Sequence, residues 1–305
     1  MYKLKENNIK TFDIASYLNT NTVFGRDFNI YLPSRINELV DNSIIFLNDV
    51  TLDTLIKIKK KVIILTNPFD IKNIDKEKII PDLIFTDNSE RDFYLIIKEF
   101  FIVDDIFLVD KSVEIDKSVI LGINVNIGSG SKIGNNVRIG NNTYIGKDVI
   151  INDNVYIGSG CYLKDSSIIG SNPFNFIKDD SRYSYMPYFG TLIINDDVWI
   201  GSKVVIEKPS LGKSYIENDV KIDDLVQIGS DSNIGKHTQI AAGTIVGRDV
   251  LIGSNCLLGI NTVIKPKVSI ENNVNTGIGA VVVSDLKSNT TYVGNPAKIL
   301  KSKMR

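Results

Sequence analysis

An apolar residue returns every six positions through most of this 305-residue chain. The first run is Ile115, Leu121, Ile127, Ile133, Ile139, Ile145, Ile151, Ile157 and Leu163. A second passes through Ile194, Ile200 and Ile206, resumes at Ile216 and continues through Ile228, Ile240 and Ile252 to Ile270. Two positions before most of these sits a smaller apolar residue, such as Val125, Val137, Val149, Val198, Val226 or Val250. In a strand, residues i and i+2 share a face. Each hexad therefore supplies a short strand with two inward side chains, and then a corner. Three such strands close a triangular coil, and stacked coils pair about 4.8 Å apart around a column of Ile. A helix is excluded, because a period of six does not fit 3.6 residues per turn. The period is the signature of a hexapeptide β-helix.

Gly follows many of the large apolar residues, as at Gly122, Gly128, Gly140 and Gly229, and Asn is frequent nearby. Both residues tolerate φ > 0, which suits a corner. Asn135, Asn136, Asn141, Asn142, Asn152 and Asn154 are expected to serve there. The two cysteines, Cys161 and Cys256, fall on the small inward position and read as buried, inert thiols. With one His and no Cys/His cluster, no metal site is expected.

The period is absent before Lys111. Residues 1–108 carry short apolar runs (SIIFL, KVIILT, DLIFT) and one segment of helical spacing from Ser89, with Ser89 and Glu90 as its expected start. They read as a small N-terminal α/β domain, joined by the acidic link Asp104–Asp105 to a β-helix over 109–285 and a tail over 286–305. The β-helix is interrupted at 164–193 by a long aromatic loop and at 207–215 by a shorter insert. A long loop inside a regular repeat usually carries function. The net charge is −1, with no long basic run, so nucleic acid is not an expected partner. The N-terminus lacks a signal-like apolar stretch, and no apolar run approaches the ~18 residues of a membrane span. A cytoplasmic protein without membrane insertion is expected.

The solenoid, the segment IIGSNPFNF, the stretch SIIFLND and the terminal motif Gly294–Lys298 (GNPAK) together resemble the left-handed parallel β-helix acyltransferases. More narrowly they resemble the UDP-3-O-acylglucosamine N-acyltransferases, and the segment DDVWIGSKVVIEKPSLGKSYIENDVKIDDLVQIGSDSNIGKHTQIAAG carries most of the likeness. The resemblance implies a mainly β fold, a homotrimer with clefts between neighbouring solenoids, an acyl thioester donor and a nucleotide-linked amino sugar as acceptor. The amine would attack the thioester carbonyl, with backbone N–H groups stabilising the oxyanion.

Ser230 stands where that family carries its His, and Lys267 where it carries a second. Asp49 and Leu52 replace an Asn and a Tyr, and the chain ends shortly after GNPAK. These departures favour a short acyl group, acetyl-CoA above all, delivered to a dTDP- or UDP-linked amino sugar for surface glycans such as O-antigen. The alternatives are the lipid A reaction with an acyl carrier protein, and a non-catalytic solenoid that binds a sugar nucleotide. Asp231 is the carboxylate nearest the family's base position, and His237 is the only imidazole; these are the catalytic candidates. Phe46, Asn172, Phe174, Phe176, Glu207 and Ser230 are the candidate acceptor-binding residues, with Phe46 placed to stack on a pyrimidine. Gly243, Gly259, Gly277 and Lys298 are the candidates for acyl-CoA.

Overall fold

The structure, a computed structural model, describes residues 3–4, 9–69, 75–103 and 108–300. Its contacts separate into two compact units, Met1–Asp105 and Ile106–Arg305. The link Asp104–Asp105 lies outside the described residues.

In the first unit the three apolar runs become parallel strands. Leu32–Pro33, Ser43–Phe46, Val62–Thr66 and Asp82–Phe85 pair in that order. Successive side chains leave opposite faces, so each face has its own core. Ile44, Ile63, Leu65 and Ile84 pack with Ile14, Phe93 and Ile96. Ile45, Val62, Ile64 and Leu83 pack with Leu55 and Ile58. Burial on both faces explains why the runs are continuously apolar rather than alternating. The predicted helix spans Ser89–Ile96, but its N-cap is Asn88, one residue before the expected Ser89. The Asn88 side chain accepts the Arg91 N–H, which satisfies an orphan donor of the first turn. Ser89 is instead buried, its hydroxyl on Asn48 Oδ1.

The second unit is the expected parallel β-solenoid. Its three faces are sheets of eight, ten and nine short strands. The first face begins at Ile120–Leu121, the second at Asn126–Ile127 and the third at Glu114–Ile115. The chain passes from third face to first to second and back. Hexads therefore stack in register: Ile127 lies against Ile145, then Leu163, Ile200, Ile222 and Ile240. Cross-coil hydrogen bonds join residues 18 apart in uninterrupted stretches. The inward Ile and Val residues form one core from Val125 to Tyr292, and Cys161 and Cys256 belong to it. Both thiols are pushed up by burial, Cys161 to about 11.

The corners divide their duties differently from the expectation. The left-handed residue is the third after each large apolar one: Asn136, Asn142 and Asn154 have φ of 54–58°. Asn135, Asn141 and Asn152 are not left-handed. Asn141 instead accepts the Ile123 N–H of the previous coil through Oδ1 at 2.8 Å. Gly128, directly after Ile127, is not left-handed either. At Gly128 a Cβ would lie 2.7 Å from the Gly146 carbonyl. Coil-to-coil approach, not φ, selects this glycine.

The solenoid also extends beyond its expected limits. Ser167 and Ile169 keep the inward phase, and the strands Ile168–Ser171 and Thr191–Ile194 belong to the third and first faces. The first excursion is thus 172–190 rather than 164–193. The second lies between the strands Val205–Glu207 and Lys213–Ile216. At the far end, Leu286 and Tyr292 join the core, and Thr291–Val293 and Lys298–Ile299 add strands to the second face. Residues 286–300 therefore close the end of the solenoid instead of trailing from it. Among the described residues no helix is long and apolar enough to cross a membrane.

Candidate active site

Both excursions leave the same corner of the prism, between third and first faces, on consecutive coils. Hydrogen-bonded partners across them are 37 and 22 residues apart instead of 18. The first excursion carries an antiparallel hairpin, Phe176–Asp179 with Arg182–Tyr185. Its aromatic rings form an edge-to-face chain: Phe174 to Phe176 at 5.1 Å, Phe176 to Tyr185 at 5.2 Å and Tyr185 to Tyr188 at 6.1 Å. The second excursion holds the first in place. Phe189 N–H donates to Ser210 O, and Thr191 N–H to Gly212 O. Gly190 lies so close to Pro209 that a Cβ would sit 2.2 Å from its carbonyl oxygen.

Lys208 is 4% exposed, with Nζ 4.7 Å from the Tyr188 ring centre and 3.3 Å from Asp153 O. Burial lowers its pKa. The lysine pins both excursions to the coil that precedes them. The next coil supplies Ser230 and Asp231. Asp231 accepts from Ser210 N at 3.0 Å through Oδ1 and from Ser210 Oγ at 3.1 Å through Oδ2. Ser230 is 2% exposed and donates its N–H to Glu207 Oε2 at 2.9 Å. Burial raises the Glu207 pKa, opposed by the N–H groups of Ser230 and Phe174. Phe174, Phe176, Tyr183 and Arg248 line a cleft of about 660 Å³ at this corner. Phe174 is 81% exposed, so the cleft opens to solvent.

The corner thus gathers Phe174, Phe176, Glu207, Ser230 and Asp231, with Asn172 exposed at the start of the first excursion. His237 is elsewhere, in the left-handed position of the corner from first face to second. Its Nδ1 is 2.9 Å from Asp219 Oδ2, and Asp219 also takes Lys221 Nζ at 2.7 Å. Both partners hold the Asp219 pKa down, Lys221 the more strongly. Gly243, Gly259 and Gly277 lie at the remaining corner, from second face to third. Each has a local reason to be glycine: Gly243 has φ +69°, and a Cβ on Gly259 would meet the Thr276 carbonyl oxygen at 2.6 Å and one on Gly277 the Val293 side chain at 2.7 Å. Lys298 is exposed on the last strand of the second face. Phe46 is half-buried in the first unit, 5.0 Å from the Phe93 ring and 6.3 Å from Tyr94.

Sequence reasoning missed Arg248, Tyr183 and Lys208. Arg248 was accessible to simple counting, because it lies one coil beyond Ser230 in the same column. Tyr183 required knowing that the loop folds into a hairpin.

No protein-family model matches the chain. It is similar to the UDP-3-O-acylglucosamine N-acyltransferase of Prochlorococcus marinus, with 43% identity over 75 residues, 25% of this chain and 22% of that protein. Against the enzyme of the same name from Herminiimonas arsenicoxydans, identity is 29% over 128 residues, 42% of this chain and 37% of the relative. The matched part therefore spans about a fifth to under two fifths of these relatives' own length. Among solved structures, UDP-N-acetylglucosamine O-acyltransferase from Moraxella catarrhalis superposes with a TM-score of 0.57 at 24% identity, covering 63% of this chain and 73% of that one. The UDP-N-acetylglucosamine acyltransferase of Francisella novicida gives 0.59 at 21% identity, covering 64% and 71%. The chain is thus similar in sequence, over part of its length, to the UDP-3-O-acylglucosamine N-acyltransferases, and its solenoid has the fold of UDP-N-acetylglucosamine acyltransferases.

Proposed function

We propose that the protein transfers an acyl group from a thioester to the amine of a nucleotide-linked amino sugar. The observation that carries this is the corner where both excursions meet: an aromatic, solvent-open cleft lined by Phe174, Phe176, Tyr183 and Arg248, with the Glu207 carboxylate bonded to the Phe174 backbone beside it. It is set in a solenoid similar in sequence to named N-acyltransferases. The relatives favour a UDP-linked sugar and the reaction of UDP-3-O-acylglucosamine N-acyltransferase, which ranks above the short-acyl reading. One observation keeps the acetyl-CoA reading alive. Ser230, at the family's His position, is buried and its N–H is committed to Glu207.

Within the solenoid the candidate residues, Lys298 on the second face apart, occupy three different corners. This dispersal supports a homotrimer in which a cleft draws on neighbouring copies. In this reading Phe174, Phe176 and Tyr183 wall the acceptor and Arg248 faces an anionic part of it. Asn172, exposed at the start of the first excursion, is proposed to reach the same acceptor. The glycine corner of Gly243, Gly259 and Gly277, with Lys298 nearby on the same face, serves the donor's extended arm. Phe46 contributes to a nucleotide-binding surface of the first unit.

Thiol release tests the proposal and separates its two forms. The protein is incubated with UDP-linked amino sugars and either acetyl-CoA or a 3-hydroxyacyl carrier protein. Release with the carrier protein only supports the lipid A reaction, and release with acetyl-CoA supports the short-acyl one. Absence of release with every pair, from protein that retains its fold, refutes acyl transfer.

A further inference from the structure

The Glu207 carboxyl joins the first excursion to the coil that carries Ser230, by accepting the backbone N–H groups of Phe174 and Ser230. Asp231 and His237 are the two sequence candidates to accept a proton. Asp231 accepts Ser210 N–H through Oδ1 and Ser210 Oγ through Oδ2, so its carboxylate clamps the second excursion to the coil. His237 sits at another corner, against Asp219. Glu207 ends the strand Val205–Glu207 at the point where the solenoid opens into its second excursion. Among the described residues it forms no ion pair. A carboxylate offers about four lone-pair sites, so the N–H groups of Ser230 and Phe174 leave room for a substrate N–H.

We propose that Glu207 is the general base that takes the proton from the attacking sugar amine, a role that rests on the acyl-transfer reading above. The amine nitrogen bonds to the thioester carbonyl carbon, and the carbonyl π pair moves to oxygen. One N–H proton passes to the Glu207 carboxylate. The oxyanion then collapses, the C–S bond breaks with its electron pair on sulfur, and the thiolate takes the proton back from Glu207. The products are an amide and a free thiol, and the carboxylate is restored.

The surroundings suit that task. Half-burial and Asp231 push the Glu207 pKa up, while Arg248 and the two N–H groups restrain the rise. On the hairpin, burial, Tyr188 and Glu207 raise the Tyr185 pKa. Lys208, its neighbour in the chain, is turned to Tyr188 and Asp153. A base whose pKa is raised toward the working pH transfers protons with better-matched driving force.

The test is Glu207→Gln, assayed by thiol release with an acyl donor and amino-sugar nucleotide that the wild type uses. Loss of a general base lowers kcat by about 10²–10⁴-fold. The acceptor KM stays within about threefold, and added formate restores part of the activity of Glu207→Ala. A kcat within about threefold of wild type overturns the proposal. So does a raised KM at unchanged kcat, the outcome for a residue that only binds sugar hydroxyls. If Glu207→Gln fails to fold, Glu207→Asp decides in its place. It keeps a carboxylate, so a base role predicts measurable turnover at reduced kcat, whereas full wild-type kcat refutes it. A folded wild type inactive with every pair refutes the functional reading itself, and Glu207 catalysis with it.

Discussion

Replacing Gly128 by Ala tests whether coil spacing, rather than backbone conformation, explains the glycines of the repeat. Gly128 is outside the left-handed region, so an Ala there carries no φ penalty. Its Cβ would lie 2.7 Å from the Gly146 carbonyl, whereas ordinary contact begins at 3.4 Å. The coils must therefore part locally by roughly 0.7 Å, a gap that a close-packed interior resists. The ladder bond from Gly128 N to Ile145 O, now 2.8 Å, would stretch to about 3.5 Å, beyond useful hydrogen-bond range. One or two ladder bonds at about 1 kcal/mol each, added to an overpacking cost of about 1–3 kcal/mol, give a loss of ~2–5 kcal/mol. For a unit of this size that is a fall in Tm of roughly 5–15 °C. Gly212→Ala is the control: it has φ +69° but nothing within 4 Å of its Cβ. It bears only the left-handed penalty of about 1–2 kcal/mol. Thermal melts followed by circular dichroism compare the two. A Gly128→Ala loss no larger than that of Gly212→Ala would refute the coil-spacing argument.

Other consequences can be measured on the same preparation. Cys161 and Cys256 are buried and their thiols are pushed up, so a thiol reagent at about pH 8 labels neither in the native protein and both after unfolding. Labelling of the native protein would contradict their place in the core. Glu207 has a raised folded-state pKa, so ionising it costs the folded state. Its stabilising contribution is fully present below the ordinary 4.5 and is lost as pH rises through the raised value. Glu207→Gln should therefore be more stable than wild type at about pH 7–8, with the gain gone at about pH 4; a gain independent of pH would contradict the assignment. Asp231→Asn keeps a residue that tolerates φ of 62° but weakens the grip on Ser210. A loss of about 1 kcal/mol is expected, with activity reduced less than about tenfold; a loss as deep as that of Glu207→Gln would make Asp231 the base.

The solenoid was legible because a period of six leaves little choice. Inward Ile and Val, three faces and the stacking register all follow from one spacing. The corners were less legible, because Gly and Asn next to each other in a hexad answer to different demands: Gly128 to the coil above, Asn136 to its own φ. The excursions were misjudged at their edges. Ser167 is polar yet points inward, its hydroxyl satisfied by the Lys164 carbonyl, so hydrophobicity alone closed the repeat too early. The site was legible in part. Glu207, Ser230 and the loop phenylalanines converge, because both breaks in the period fall at one corner. His237 drew attention by being the only imidazole, but its position three after Ile234 is the left-handed corner slot filled elsewhere by Asn or Asp. The Asp231 carboxylate proved to be a clamp, and sequence could not reveal that without Ser210 folding back upon it.

The reaction proposed for this corner makes an amide from a sugar amine. Mass spectrometry of a UDP-linked amino sugar, after incubation with the protein and an acyl thioester, tests it most directly. The expected product is an acceptor heavier by one acyl group, formed in step with free thiol. An acceptor of unchanged mass with every donor, in the presence of folded protein, would contradict it.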